Sequence, residues 1–209
     1  MIPTSKSDGF HLIFVVLFCI AFAIRLYYHY KAKIWQGDST PEGGLSLFFR
    51  TCVGLPVILL IIVYLFWPRV LKWADVPVPV VWRWIGAGIF AASLPLLIWI
   101  QHSLGSNYSP QLRIRSEHNL VSSGPYRYVR HPMYTTSLII YTGMGLLSAN
   151  WFIGGVNVVA TLVLMIFRTP REEGMLTQAF GDKYRQYSES TGKFLPRLRF
   201  AGRENRSAA

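Results

Sequence analysis

Two apolar segments follow each other almost without a break in residues 133–167, MYTTSLIIYTGMGLLSANWFIGGVNVVATLVLMIF. Residues 133–149 and 151–167 are each a little shorter than the roughly 20 apolar residues that a spanning helix needs. Only Ala149 and Asn150 are available for a turn between them. We therefore predict a tight helical hairpin in a membrane, in which glycines let the two backbones approach closely. These glycines are Gly143, Gly145, Gly154 and Gly155.

The composition of the whole chain favours the same environment. Of the 209 residues, 52% are hydrophobic and 15% are charged, against about 25% charged in ordinary soluble proteins. The mean hydropathy is +0.32, and three further apolar runs occupy residues 10–30, 45–67 and 81–100. We therefore predict an all-α integral membrane protein with about five transmembrane helices.

The charge of the chain indicates an orientation in the membrane. The formal net charge is +11, and the basic residues are spread between apolar runs, which favours contact with membrane lipids over nucleic-acid binding. Residues 101–131 carry four basic and one acidic residue, and residues 168–209 carry nine and five. A hairpin places both segments on one side of the membrane, and the positive-inside rule predicts that this side is cytoplasmic.

Polar residues are concentrated where the hairpin begins and ends. Proline suits the first turn of a helix, so His131-Pro132 predicts a helix start with His131 at the N-cap. Free backbone N–H groups and the helix dipole favour an anion at such a start. A tight hairpin would bring this helix start beside the end of the second apolar segment, so polar residues from both would meet at one corner of the bundle. A purely structural explanation is also open, in which His131 caps the helix and the Arg and Glu residues form ion pairs at the membrane interface. The residues expected at this corner are Tyr126, His131, Tyr134, Arg168, Arg171, Glu172 and Glu173.

The two blocks that flank the hairpin resemble the signatures of one known family. HNLVSSGPYRYVRHPMY, residues 118–134, resembles the cofactor motif of isoprenylcysteine carboxyl methyltransferases and their bacterial and archaeal relatives. RTPREEGMLTQAFGDKYRQY, residues 168–187, resembles the second signature of that family, an Arg, a Glu-Glu pair and then Phe-Gly-x-x-Tyr. Related membrane phospholipid methyltransferases share similar motifs. The resemblance covers about the last half of the chain.

This resemblance implies an integral membrane enzyme that binds S-adenosyl-L-methionine without a Rossmann domain. The apolar runs predict three transmembrane helices in residues 1–101, and the resemblance implies that residues 102–209 form the catalytic half, with the two-helix hairpin, a cytoplasmic cofactor-binding region and an amphipathic tail. Arg168 would be the catalytic residue that faces the methyl acceptor, and Glu172 would bind the polar end of the cofactor. The other implied cofactor-binding residues are Gln111, His118, Asn119, Leu120, Val121, Tyr126, His131, Pro132, Met133 and Tyr134. Pro170-Arg171 stands where the eukaryotic enzymes are expected to have acidic residues, a departure on the acceptor side.

The implied reaction is methyl-esterification of the carboxylate of a prenylated cysteine or a similar lipid-like acid. A carboxylate with a reference pKa near 4 is ionised at neutral pH, so it needs alignment and loss of water rather than a general base. Arg168 can hold a carboxylate through two hydrogen bonds. No metal is required, and the sequence shows no cluster of His, Cys and Asp ligands.

Two other functions also fit the sequence. Methylation of a phospholipid headgroup amine would use the same cofactor and would need a base, for which Glu173 or His118 could serve. A non-enzymatic membrane transporter or assembly protein would instead use Arg25, Arg50 and Arg83 as interior charged groups. His131→Ala and Glu172→Ala should impair a methyltransferase and leave such a protein unaffected.

Overall fold

Helices account for nearly all of the regular structure in the computed structural model, which describes residues 6–36, 50–105 and 120–197. No strand longer than an isolated bridge occurs in these residues. Three short helical segments, Arg50–Gly54, Pro68–Ala74 and Gly124–Arg127, join or precede the α-helices. The α-helices are α1 (Lys6–Gln36), α2 (Leu55–Phe66), α3 (Val80–Leu104), α4 (Pro132–Ser148), α5 (Trp151–Phe180) and α6 (Asp182–Ser190).

Three helical segments among the described residues are long and apolar enough to cross a membrane: Gly9–Lys31, Val80–Leu104 and Trp151–Phe180. A fourth is obtained if Cys52–Phe66 and Pro68–Ala74, between which the helix axis bends by 110°, form one span. The 17-residue helix α4 is only about 26 Å long at 1.5 Å per residue. The predicted all-α membrane class is confirmed, whereas the predicted count of five spans is not.

Helix α4 packs against both α3 and α5, and α4 and α5 form a tight helical hairpin. Gly145 and Gly154 meet at the crossing of the two helices, where a Cβ atom on either would lie 2.8 Å from the Cα atom of the other. Gly143 instead faces α3, because its Cβ would lie 2.9 Å from the backbone nitrogen of Phe90. A Cβ on Gly155 would meet nothing closer than 3.9 Å, so this glycine is not needed for the approach.

The hairpin turn is fixed by Asn150, which is 1% exposed. Its side-chain oxygen accepts a hydrogen bond from the Ile153 backbone N–H at 3.1 Å and so caps α5. Its side-chain nitrogen donates to the Leu71 carbonyl at 2.9 Å and to Asp75 Oδ1 at 2.8 Å. The short connection between the two helices is therefore tied to the segment that precedes α3.

Helix α5 differs from the predicted hairpin arm, which ended at Phe167. The helix runs without interruption through Arg168 and Pro170 to Phe180. Arg168 and Glu172 form an i,i+4 ion pair with nitrogen and oxygen 3.5 Å apart, which supports the helix just beyond the predicted end of the arm. The site-bearing residues of the second block therefore lie on a continuation of a membrane helix.

Side chains of α1 mark the two ends of the helix bundle. At one end, the Arg83 guanidinium lies 4.1 Å from the Phe10 ring, and its Nε donates to the Leu147 carbonyl at 3.0 Å. At the other end, Arg25 donates to Ser137 Oγ at 3.2 Å. Ser137 lies near the start of α4, so the beginning of α1 and the beginning of α4 are at opposite ends of the bundle.

We expect Gly86→Ala to lower the free energy of unfolding by about 1–3 kcal/mol through overpacking. A Cβ at this position would lie 2.6 Å from the Leu147 backbone nitrogen on α4. Gly88→Ala in the same helix is the matched control, because its Cβ would meet nothing within 4 Å. This control should stabilise the protein by up to about 1 kcal/mol, since alanine is the better helix former. Unfolding in detergent measures both, and equal effects would contradict the close approach of α3 and α4.

Candidate active site

The start of α4 is built around His131, which is 7% exposed and occupies the predicted N-cap position. Pro132 takes the first helical position, where the lack of an N–H costs nothing. The two ring nitrogens of His131 face two carboxylates. Nε2 lies 3.2 Å from Glu173 Oε1, and Nδ1 lies 3.5 Å from Glu172 Oε2. The two sequence blocks therefore meet at this histidine.

Glu172 is shared by three predicted site residues. Its Oε1 accepts a hydrogen bond from the Tyr134 hydroxyl at 3.2 Å and lies 3.5 Å from an Arg168 guanidinium nitrogen. Its Oε2 faces His131. A carboxylate offers about four acceptor positions, and three are taken here. Among the described residues nothing occupies the remaining position on Oε2, which could accept from a hydroxyl or an ammonium group of a ligand.

Glu173 faces His131 and two basic side chains that Glu172 does not contact. Its Oε1 lies 3.4 Å from Arg130 and 3.2 Å from His131, and its Oε2 lies 3.1 Å from Lys193 Nζ. The Glu173 side chain is 21% exposed, so this cluster is partly shielded from water. Both oxygens of Glu173 are thus engaged within the protein, unlike the remaining position on Glu172.

Arg168 is only partly satisfied by its ion pair with Glu172. Its side chain is 25% exposed, and its Nε is buried without a hydrogen-bond partner among the described residues. A guanidinium can donate from two edges at once, and a buried donor without a partner is costly. Arg168 therefore has a donor edge available for a second anionic group beside Glu172.

The segment that follows α6 closes over the start of α4, which the sequence did not indicate. The backbone N–H groups of Arg130 and His131 donate to the carbonyls of Gly192 and Lys193 at 2.8 and 3.0 Å. Thr135 Oγ1 donates to the Phe194 carbonyl at 2.7 Å, and the Phe194 ring centre lies 5.8 Å from that of His131. A Cβ on Gly192 would collide with the Leu195 carbonyl oxygen, so this turn requires glycine. Gly192 was the only residue in the sequence that could have indicated this turn.

Tyr126 is 8% exposed and lies in the short helical segment before α4. Its carbonyl accepts a hydrogen bond from the Tyr187 hydroxyl at 2.7 Å, which joins it to α6. Burial raises the pKa of Tyr187 to about 12, although the nearby Arg130 charge acts to lower it. Tyr187 therefore remains protonated and able to donate near neutral pH. The second block thus holds the first at two places, through α5 and through α6.

A cleft of about 930 Å³ lies between the 120–128 segment and α6. Leu120, one of the expected cofactor-binding residues, lines it together with Tyr187. The charged side chains in its lining are all basic: Arg127, Lys183 and Arg197.

The other expected residues are placed as follows. Met133 is half-buried and packs against the hydrophobic core rather than joining the charged cluster. Val121 lies beside Leu120 in the irregular segment before Gly124. Gln111, His118 and Asn119 lie outside the described residues. The structure therefore brings His131, Tyr134, Arg168 and Glu172 into contact, with Pro132 and Tyr126 in the segments that carry them.

One buried amide was not expected from the sequence. Gln101, near the end of α3, is fully buried, and neither its Oε1 nor its Nε2 has a hydrogen-bond partner in the described part of the chain. Phe90 of α3 packs beside Gly143 of α4, and the two helices run in opposite directions. Gln101, eleven residues after Phe90, therefore comes level with the first residues of α4.

Comparison with known proteins finds methyltransferase relatives and a shared fold. The phospholipid methyltransferase family matches residues 81–183. A probable protein-S-isoprenylcysteine O-methyltransferase of Oryza sativa subsp. indica is 36% identical over 97 residues, covering 44% of this chain and 49% of that protein. Protein-S-isoprenylcysteine O-methyltransferase A of Arabidopsis thaliana is 33% identical over 94 residues, covering 44% and 48%. The chain thus spans about half the length of these curated relatives.

A solved structure extends the likeness to most of the chain. The eukaryotic intramembrane Ras methyltransferase, an isoprenylcysteine carboxyl methyltransferase, superposes with a TM-score of 0.53 at 20% identity. The match covers 88% of this chain and 67% of that one. At this identity the match shows a shared fold, that of an integral membrane helix bundle.

The chain is therefore a helical membrane protein whose relatives are methyltransferases, and its two sequence blocks meet at the start of α4. The chain is similar to isoprenylcysteine carboxyl methyltransferases in sequence and in fold, and to the phospholipid methyltransferase family over residues 81–183. The resemblance seen in the two sequence blocks is therefore confirmed.

We expect Glu173→Gln to lower the free energy of unfolding by about 1–3 kcal/mol, because Arg130, His131 and Lys193 lose their shared carboxylate. Asp182→Asn is the matched control. It removes an ion pair with Arg185 in which the side chains are 85% and 68% exposed, and such pairs contribute at most about 1 kcal/mol. Thermal unfolding in detergent compares the two, and a Glu173→Gln effect no larger than the control would contradict the clustered arrangement.

Proposed function

We propose that this chain is an S-adenosyl-L-methionine-dependent methyltransferase of the membrane, which esterifies the carboxylate of a prenylated cysteine or a similar lipid-like acid. The observation that carries the proposal is the position of Arg168. This arginine is bound to Glu172 through one nitrogen and has a buried Nε without a partner among the described residues. The two edges of its guanidinium can therefore serve a cofactor-binding carboxylate and an acceptor carboxylate at once.

The donors and acceptors around α4 suit the proposed cofactor. Within the described part of the chain Glu172 keeps one acceptor position free, which fits a ribose hydroxyl or the amino group of the cofactor. Tyr134 and His131 hold this carboxylate in place, since both contact it directly. The cofactor supplies an electrophilic methyl group on a positively charged sulfur. The cleft beside Leu120 would give it access from the aqueous side.

The chain's own residues would act mainly by positioning. Arg168 would orient the acceptor carboxylate through charge-assisted hydrogen bonds, and no proton has to be removed from that nucleophile. The position of Arg168 on the continuation of a spanning helix would let the lipid tail remain in the membrane. Phe194 and the Gly192 turn would help to exclude water from this end of the bundle, which strengthens the electrostatic interactions there. Holding two reactants in line provides much of the rate increase in such reactions.

Methylation of a phospholipid headgroup amine is the second candidate, favoured by the family that matches residues 81–183. An amine must lose a proton before it can attack, so this reaction needs a base. Glu173 is a poor choice because both of its oxygens are engaged by cations. His118, the other base considered, lies outside the described residues. The carboxylate acceptor therefore accords better with the described site.

An assay of methyl transfer from the labelled cofactor to an acceptor tests the proposal directly. The purified protein in lipid vesicles is given S-adenosyl-L-methionine labelled in the methyl group and a farnesyl-cysteine analogue. We expect label in the analogue that alkali releases as volatile methanol, since esters are cleaved by alkali. Alkali-stable label in the lipid fraction would favour amine methylation, and the absence of both transfer and cofactor binding would contradict any methyltransferase function.

We expect Arg168→Leu to lower kcat/KM for the acceptor by roughly a hundredfold or more. Two charge-assisted hydrogen bonds are lost, and each contributes about 1.5–3 kcal/mol. Arg168→Lys keeps the charge but not the two-edged geometry and should recover only part of the activity. Arg185→Leu, which changes an exposed arginine on α6, should leave kcat/KM unchanged. Equal activity of the Arg168 and Arg185 variants would refute the assignment of Arg168.

A further inference from the structure

Arg25 is a charged residue inside the first spanning segment, Gly9–Lys31. It lies six residues before Lys31, which corresponds to about 9 Å from the end of the segment. The Arg25 side chain is half-buried, with a terminal nitrogen 3.2 Å from Ser137 Oγ on α4.

The guanidinium of Arg25 is incompletely paired. Its bond to the Ser137 hydroxyl uses one of five donors, and no carboxylate pairs with it among residues 6–36, 50–105 and 120–197. A charged side chain within a membrane span is costly and normally has a partner or a function. Arg83 shows the contrast, because it stacks on Phe10 and donates to the carbonyl of Leu147 at the end of α4.

The position of Arg25 connects it to the candidate active site. Ser137 follows Tyr134 by three residues, so the two lie on neighbouring turns on one side of α4. The Tyr134 hydroxyl bonds Glu172, which pairs with Arg168. Two arginines thus approach the first turns of α4, one from α1 and the other from α5. Only Arg168 has a carboxylate partner among the described residues.

We infer that Arg25 binds the anionic group of the lipid-like methyl acceptor while it enters between α1 and α4, before Arg168 holds that group for the transfer. A guanidinium binds a carboxylate or a phosphate through two parallel hydrogen bonds. The inference rests on the proposed function for the identity of the ligand as the acceptor. If the anionic group is the carboxylate that becomes methylated, the neutral ester is held less tightly, which favours release of the product.

Binding of fluorescent probes to the purified protein tests this inference without turnover. One probe pair is farnesyl-cysteine and its neutral methyl ester, and the other is a short-chain phosphatidic acid and the matching diacylglycerol. We expect the wild type to prefer the charged member of at least one pair. Arg25→Gln should weaken binding of that member by about tenfold or more and leave the neutral member unchanged. The pair that responds distinguishes a carboxylate from a phosphate.

Two further variants separate charge from local structure. Arg25→Lys retains the charge and should retain most of the preference. Ser137→Ala removes the hydrogen bond but leaves the charge, so it should change the affinity by no more than about twofold. The inference is overturned if Arg25→Gln binds the charged probes as the wild type does, if Ser137→Ala has an equal effect, or if the wild type shows no preference. Wild-type protein that shows the Arg25-dependent preference and transfers no methyl group would overturn the proposed function alone.

Discussion

Two adjacent carboxylates, Glu172 and Glu173, join segments that are about forty residues apart in the chain. Charges at the end of a membrane helix bundle are costly unless they are paired, and each of these carboxylates contacts a separate group of cations. His131 contacts both of them. The position of α4 relative to α5 at this end of the bundle, and the closure of the segment after α6, depend on this pairing.

The opposite end of the hairpin is fixed by packing and by one buried amide. Gly145 and Gly154 permit the close crossing, and Asn150 caps α5 while it binds the segment before α3. The apolar pattern and the short polar gap were enough to predict this hairpin, because few other structures bury two such segments. The corner of polar residues followed from the hairpin, since antiparallel helices return to the same side of the membrane.

Other features were not accessible from the sequence for physical reasons. The prediction ended the second hairpin arm at Phe167 because charged residues usually stop a membrane segment. The i,i+4 pair of Arg168 and Glu172 supports the helix instead. The contacts of Gly192, Lys193 and Phe194 are nonlocal and use backbone groups, so no periodic pattern marks them. The number of spans depends on how the bent pair Cys52–Phe66 and Pro68–Ala74 lies in the membrane, which composition alone does not determine.

The central claim is that the two sequence blocks form one cofactor site with Glu172 at its centre. Calorimetric titration of S-adenosylhomocysteine into the wild type, Glu172→Gln, Tyr134→Phe and the double variant tests it most directly, because no acceptor is required. We expect Glu172→Gln to weaken binding by about tenfold or more and Tyr134→Phe to add little to it in the double variant, since Tyr134 acts through Glu172. Binding that is unchanged in Glu172→Gln, or absent from the wild type, would contradict the account.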